Sequence, residues 1–274
     1  MIQDIAPSRL YNEYHPYELR DEDRVCIFDN DGKMFLNIEN GRVDYVPGSD
    51  ITEDIRGAAI YLFAIDDKRY FLVRDTATKL SGYEYYSIRD IRDKATGPKV
   101  YACFTAYHLW RWYSDNIFCG KCASKLTIGT RERSLVCPDC GNTIYPRLNP
   151  AVIVGVTKGD HILITKYKTG YAYSALVAGF TEIGETLEEC VMREVMEETG
   201  VEVSNICYYK SQPWGMAQDI LVGFYCDAVG DGKIHMDDSE LKYAEWVKRE
   251  DIELQPNNLS LTNEMMKMFK DGKV

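Results

Sequence analysis

The sequence predicts an α+β protein in three parts. These are a mostly β N-terminal domain over residues 1–114, a small cysteine-bearing ribbon over 115–149, and a C-terminal domain over 150–274. Three observations lead there. Short apolar runs broken by Asp-Gly and Asp-Asp turns fill the first hundred residues. Two CxxC pairs stand in the middle of the chain. Beyond them, strand-length runs are mixed with two stretches of helical periodicity, a pattern that suits helices packed on a sheet.

Residues 25–38, VCIFDNDGKMFLNI, read as a hairpin turning at Asp31-Gly32. AAIYLFAI and RYFLVRD, split by Asp66-Asp67-Lys68, read as a second hairpin. TAYHLWRWYSD reads as an aromatic-rich helix in which Trp110 and Trp112 serve packing.

Nine cysteines appear. Cys26, Cys103, Cys190, Cys207 and Cys226 stand singly among apolar residues and are expected as small buried thiols. The other four form two CxxC turns, Cys119/Cys122 and Cys137/Cys140, with fourteen residues between them. Thiolates at this spacing make a closed tetrahedral site for Zn2+, with no position left open for catalysis. The connecting stretch ASKLTIGTRERSLV has some basic residues but no aromatic platform for nucleic acid.

Pro146 and Pro150 mark a linker, and two strands follow around Lys158-Gly159-Asp160. LVAGF leads to a helix. Thr186 and Glu189 form a capping box that starts it near Leu187, and Gly200 suits the residue that ends it. At 3.6 residues per turn, Val191, Val195, Met192 and Met196 gather on one side, and Arg193, Glu194, Glu197 and Glu198 on the other. Glu194 and Glu198, four apart, repel each other, and Arg193 offers a single positive charge. Oxygen ligands crowded on a rigid element suit a hard cation such as Mg2+ or Mn2+. An acidic helix face is ordinarily just solvated, but here Gly179, Gly184 and Glu185 precede it in a turn where backbone can approach phosphates. Further strands are read in VSNICYYKSQPW, ILVGFYCDAVG and ELKYAEWVKRED. Ser260 opens a last helix with Leu261, Met265 and Met268 on one face.

The formal net charge is −11 and the pI about 5.0, which argues against non-specific polyanion binding. No apolar run approaches the ~18 residues of a membrane span, and the start, MIQDIAPSRL, lacks the features of a signal peptide. A cytoplasmic protein is expected.

Gly179 to Val201 fit the pattern G-x5-E-x7-R-E-U-x-E-E-x-G-U, U being a bulky aliphatic residue, at Gly179, Glu185, Arg193, Glu194, Val195, Glu197, Glu198, Gly200 and Val201. In this the chain resembles the Nudix hydrolases, which cleave a nucleoside diphosphate linked to another group. The resemblance implies an α/β/α sandwich with a mixed sheet. SQPW, residues 211–214, downstream of that pattern and of a four-cysteine ribbon, narrows the resemblance to the NADH pyrophosphatase branch. It covers most of the chain and is weak before about residue 85. It implies hydrolysis of NAD(H) to AMP and a nicotinamide mononucleotide, and a homodimer; bacterial members can also remove an NAD cap from RNA. Carried over residue by residue, it implies metal ligands at Glu194, Glu198, the Ala178 carbonyl and Glu240, with a further one near Thr262. Implied substrate contacts are Arg89, Tyr145, Phe180 and the run Gln212, Pro213, Trp214, Gly215, Met216, Ala217, Gln218 and Asp219.

The chain departs from the branch pattern SQPWPFPxS by reading SQPWGMAQD. Two lost prolines imply a looser loop, Met216 replaces a ring, and Asp219 adds a charge near a polyanionic substrate. In the expected mechanism Glu198, or second Glu197, accepts a proton from water. Arg193 orients the glutamates, and Glu185 supports the loop or joins the metal shell. The rivals are a hydrolase of another substrate such as ADP-ribose, and a non-catalytic nucleotide sensor that holds nucleic acid through its ribbon.

Overall fold

The computed structural model describes residues 1–74, 79–169 and 173–274; the last residue of the expected strand RYFLVRD, Asp75, falls outside them. The chain forms two compact units, one of residues 3–147 with 215–218, the other of residues 1–2, 148–214 and 219–274.

In the N-terminal unit, β1 (Leu10–Tyr11), β2 (Arg24–Ile27), β5 (Val46–Pro47), β6 (Ile60–Ile65) and β7 (Lys68–Val73) form one sheet in the order β1-β6-β7-β2-β5. β3 (Met34–Glu39), β4 (Arg42–Asp44) and β8 (Glu84–Tyr86) form a second. The β6–β7 hairpin is the one expected, with Asp66 at φ 54° in its turn. The first hairpin is different. Asp29 does hold the turn, its Oδ1 accepting from the Asp31 and Lys33 amides. Yet β2 and β3 enter separate sheets and share just the bridge Phe28–Met34. Helices α1 (Glu53–Arg56), α2 (Ile88–Lys94) and α3 (Pro98–Asp115) complete the fold. α3 starts seven residues before the expected Thr105 because Pro98 occupies its first turn after Gly97 at φ 89°. Trp112 is buried, and Trp110 stacks on Phe28 at 4.9 Å.

The ribbon strands β9 (Thr127–Ile128), β10 (Leu135–Val136) and β11 (Thr143–Ile144) belong to the same unit. Arg133 ties them down by bonding the carbonyls of Asn12 and Leu62, while Tyr14 Oη donates to the Gly129 carbonyl.

The C-terminal unit is a three-layer sandwich. Its sheet runs β15-β16-β12-β13-β17, with β14 (Val177–Phe180) also paired to β12. β12 (Asn149–Lys158) lies parallel to β16 (Asp219–Ala228), whereas β13 (His161–Tyr167), β15 (Val203–Trp214) and β17 (Leu241–Lys248) pair antiparallel with their neighbours. Alternation along β12 explains the layers. Val152, Val154 and Val156 face α4 (Leu187–Thr199), and Ile153 faces α5 (Leu261–Lys270). Leu261, Met265, Met266 and Phe269 fill the α5 side; Met268, expected there, is half-buried. The linker marked by Pro146 and Pro150 spans residues 145–148, and Pro150 already lies within β12, which starts at Asn149; a proline is tolerated that close to a strand start. Cys207, expected buried, is exposed on edge strand β15, while Cys26, Cys103, Cys190 and Cys226 are buried.

Candidate active site and metal centres

Helix α4 begins and ends where its sequence dictates. The Glu189 amide donates to Thr186 Oγ1 at 3.2 Å, the Thr186 amide donates to Glu189 Oε2 at 2.8 Å, and Gly200 closes the helix at φ 68°. The division of its faces differs from expectation. Val191 and Val195 are buried, but Met192 and Met196 are exposed. Glu198 is only 3 % exposed and the Glu194 side chain 13 %, whereas the Glu197 side chain is 60 % exposed. Periodicity says which residues share a side; it does not say how far the neighbouring strands reach around the helix. Here Glu194 and Glu198 line up one row from Val191 and Val195 and go inside with them.

Gly179 makes the space for Glu194. A Cβ on Gly179 would stand 1.9 Å from Glu194 Cδ and 2.1 Å from each carboxylate oxygen. Arg193 then organises the acids. Its Nε and Nη2 donate to the two oxygens of Glu185 at 2.6 and 2.9 Å. Its Nη1 donates to Glu194 Oε1 at 2.8 Å and Glu197 Oε2 at 3.0 Å, and Nη2 also reaches the Phe180 carbonyl at 2.9 Å. The two-pronged pair with Arg193, helped by the Glu182 amide, holds the Glu185 carboxyl down to about 2. Both Glu185 oxygens are bonded by Arg193, and the Glu182 amide of the loop also donates to Oε2 at 2.9 Å.

Glu198 has another partner, one the sequence reading missed. Tyr167 Oη donates to its Oε1 at 3.0 Å and lies 3.3 Å from Oε2. The same hydroxyl is 3.3 Å from the Ala178 carbonyl and accepts from the Ala178 amide at 3.2 Å. Burial pushes the Glu198 carboxyl up to about 8; the Tyr167 hydrogen bond opposes this, and Glu194 and Glu240 add repulsion. The Glu194 carboxyl is also raised, chiefly by burial. Glu185, Glu194, Glu197, Glu198 and Glu240 thus act on one region where Arg193 bonds three of them. Buried, mutually repelling carboxylates beside a backbone carbonyl are the donor chemistry of a hard divalent cation, so the residues present fit one.

The remaining expected residues are placed as follows. Thr262 is buried in the first turn of α5, behind Ser260, whose Oγ accepts from the Asn263 amide at 3.2 Å. Phe180 is exposed at the end of β14. Gln212 is fully buried; its Nε2 donates to the Leu259 carbonyl at 2.8 Å and its Oε1 accepts from the Leu261 amide at 2.7 Å. It therefore braces the start of α5, in contrast to the substrate contact expected of it. Pro213 and Trp214 end β15, half-buried. Gly215, Met216, Ala217 and Gln218 form a turn that belongs to the N-terminal unit, where a Cβ on Gly215 would stand 2.1 Å from the Phe104 carbonyl oxygen of α3. Asp219 opens β16 and is buried; burial lifts its carboxyl to about 6 against the hydrogen bond from Asn149. In the N-terminal unit Arg89 is exposed in the first turn of α2, and Tyr145 Oη donates to Glu132 Oε1 at 2.7 Å.

Four thiols converge in the ribbon. Cys119 and Cys140 Sγ are 3.6 Å apart, and Cys122 Sγ is 3.4 Å from both Cys137 and Cys140. All four lie within 4.8 Å of one another, and among the described residues no other set of three or more His, Cys, Asp or Glu gathers as tightly. Sulfurs bound tetrahedrally at Zn–S distances of ~2.3 Å would be about 3.8 Å apart, so the cage fits structural zinc. The Lys121 amide donates to Cys119 Sγ at 3.4 Å, a bond that favours the thiolate that zinc needs.

Residues 147–269 match the NUDIX domain and residues 114–145 the NADH pyrophosphatase zinc ribbon domain. The NAD-capped RNA hydrolase NudC of Pseudomonas aeruginosa is 34 % identical over 73 % of this chain and 72 % of its own. The protein of the same name from Photobacterium profundum is 33 % identical over 83 % of each. A NUDIX hydrolase structure from Nitrosomonas europaea, 20 % identical, superposes with a TM-score of 0.50 over 57 % of this chain and 91 % of its own, a likeness of fold. Among the described residues no helix is long and apolar enough to cross a membrane. The chain is thus similar to these relatives over most of their length, and it belongs to the Nudix hydrolases of the NADH pyrophosphatase family.

Proposed function

We propose that the protein hydrolyses the pyrophosphate of NAD(H), free or borne as a cap on RNA, to AMP and nicotinamide mononucleotide or the corresponding 5′-phosphate RNA. The observation that carries this is the buried Glu194–Glu198 pair held by Arg193 and Tyr167 beside the Ala178 carbonyl. Glu194, Glu198, Glu240 and the Ala178 carbonyl would hold Mg2+ or Mn2+, with Thr262 the next candidate ligand. Such an ion supplies positive charge against the diphosphate and lowers the pKa of water there.

The chain's own residues do the rest. Glu198, with Glu197 as the second candidate, accepts a proton from the water whose oxygen attacks phosphorus; the bridging P–O bond breaks and its electrons leave with the second phosphate. Arg193 keeps Glu194 and Glu197 in place, and Glu185 keeps Arg193 in place. Phe180, exposed beside this cluster on β14, offers a ring for a flat base. Arg89, Tyr145 and the run from Pro213 to Asp219 are the further substrate contacts proposed. The family resemblance also supports a cytoplasmic homodimer, to be tested by sedimentation and fractionation.

The test is a panel of NADH, NAD+, ADP-ribose and NAD-capped RNA, offered to wild type and Glu198→Gln with Mg2+ or Mn2+. AMP and nicotinamide mononucleotide from NAD(H) by wild type, with Glu198→Gln at least 100-fold slower, is expected. Preferential cleavage of ADP-ribose would favour the second reading, which the departure SQPWGMAQD leaves open. Binding of NAD(H) with no product at all would make the protein a sensor.

A further inference from the structure

We propose that Tyr167 is a positioning residue of the metal centre, its hydroxyl clamping the Glu198 carboxylate to the Ala178 peptide so that both face one cation. This rests on the divalent-metal reading above. The backbone first indicates which way Tyr167 faces. β13 and β17 pair in unbroken register from His161–Lys248 to Lys166–Tyr243, then slip, so that Tyr167 pairs with Leu241 and Lys242 is passed over. The extra residue lies in β17, so β13 keeps its alternation, and Tyr167 shares the α4 side of the sheet with Leu163 while Ile162 and Ile164 face α5.

Hydroxyl geometry is the second observation. Tyr167 Oη has one proton and finds two acceptors, Glu198 at 3.0 Å and the Ala178 carbonyl at 3.3 Å, while the Ala178 amide donates to its lone pair at 3.2 Å. One oxygen therefore fixes a carboxylate on α4 and a peptide on β14. With the Ala178 carbonyl engaged by a cation, the phenolic proton would be left to Glu198 alone and would hold that carboxylate in one orientation. The next residue extends the arrangement: the Lys168 amide donates to the Glu240 carbonyl at 3.0 Å. The Tyr167–Lys168 step thus touches three of the chain segments that would supply ligands. Without the clamp, repulsion from Glu194 and Glu240 is free to turn the Glu198 carboxylate away.

Mn2+ binding to the full zinc-loaded chain, followed by electron paramagnetic resonance without substrate, tests this. Tyr167→Phe should keep its zinc and its circular dichroism, bind Mn2+ about 10-fold or more weakly, and lose kcat at saturating Mn2+ with little change in KM. Mn2+ affinity and kcat equal to wild type would overturn the inference while leaving the metal reading intact. Wild type and Glu198→Gln binding Mn2+ alike would instead overturn the metal reading, and this inference with it. Should Tyr167→Phe fail to fold, 3-fluorotyrosine placed at 167 retains the hydroxyl. Its 19F resonance should move as Mg2+ is added, and a resonance that stays still would refute the clamp.

Discussion

Replacing Gly179 by alanine should separate catalysis from folding. The added methyl would stand 1.9 Å from Glu194 Cδ and 2.1 Å from both its oxygens. Ordinary carbon contact begins near 3.5 Å, so one partner must retreat by roughly 1.6 Å. The partner is the end of a flexible side chain, so the fold can survive the change. What cannot survive is the seat of Glu194, whose 2.8 Å bond to Arg193 would be stretched or lost. A misplacement of about 1 Å can cost ~100-fold in rate, equivalent to about 2.7 kcal/mol. We therefore expect Gly179→Ala to unfold within a few degrees of wild type but to lose roughly 100-fold in kcat/KM for NADH hydrolysis at fixed Mn2+. Thermal unfolding and steady-state product formation on the same preparation decide it. An active Gly179→Ala would show that the carboxylate position is immaterial, and a grossly unstable one would show that the glycine serves the fold.

Three further outcomes follow from the same geometry. Because Glu198 titrates near 8 in the fold and at its ordinary 4.5 when unfolded, its contribution to stability is present below the ordinary value and is lost as pH rises through the folded one. Metal-free protein should therefore lose on the order of a few kcal/mol between pH 5 and 8; Mg2+ should restore it at pH 8, and Glu198→Gln should lack the dependence in calorimetry. Cys137→Ser, at a buried member of the thiol cage, should release zinc and lower the unfolding temperature of the N-terminal unit, read by metal analysis and scanning calorimetry; retained zinc would place the ion elsewhere. Gly215→Ala should cost about 1–3 kcal/mol in denaturant unfolding, because its methyl meets the Phe104 carbonyl, a backbone atom that cannot swing aside.

Those features that depend on neighbours in sequence were readable from it. The Thr186–Glu189 box and Gly200 mark the ends of α4. Two CxxC turns gave a cage because each turn fixes its own pair of thiols. β15 runs over the very residues, Val203 to Trp214, whose composition suggested it. What failed to show depends on which distant segment covers a residue. Periodicity put Met192 with Val191, but the sheet covers one and leaves the other to solvent. It put Glu198 on the side opposite Val191 and Val195, yet Glu198 is buried and β13 and β14 bring Tyr167 and Ala178 over it. Alternation along β13 puts Tyr167 on the side of Leu163, but nothing in the sequence tells that this side meets Glu198. Likewise β2 and β3 sit either side of a recognisable turn, and only long-range pairing sends them into different sheets.

The segment after SQPW shows how a local reading can invert. The absence of proline at 215 suggests a looser loop with more entropy to lose on binding. In the fold Gly215 is buried with no space for a Cβ, let alone a ring, against the Phe104 carbonyl. The next three residues include Gln218, buried and held at φ 62°. Packing restrains this turn where a proline would have restrained it covalently, so the glycine reports a close approach of α3 and not a gain in freedom. Asp219 follows the same logic. Its carboxyl is buried, is lifted to about 6, and has an Oδ1 without a partner among the described residues. Below about pH 6 a carboxyl so placed keeps its proton, which removes there the repulsion expected against a polyanion. Substitution of Asp219 by serine, the residue usual in this family, should therefore change the substrate preference with pH more than it changes the overall rate. Ratios of kcat/KM for NADH and ADP-ribose measured from pH 5 to 8 would show this, and identical ratios in both proteins at every pH would refute it.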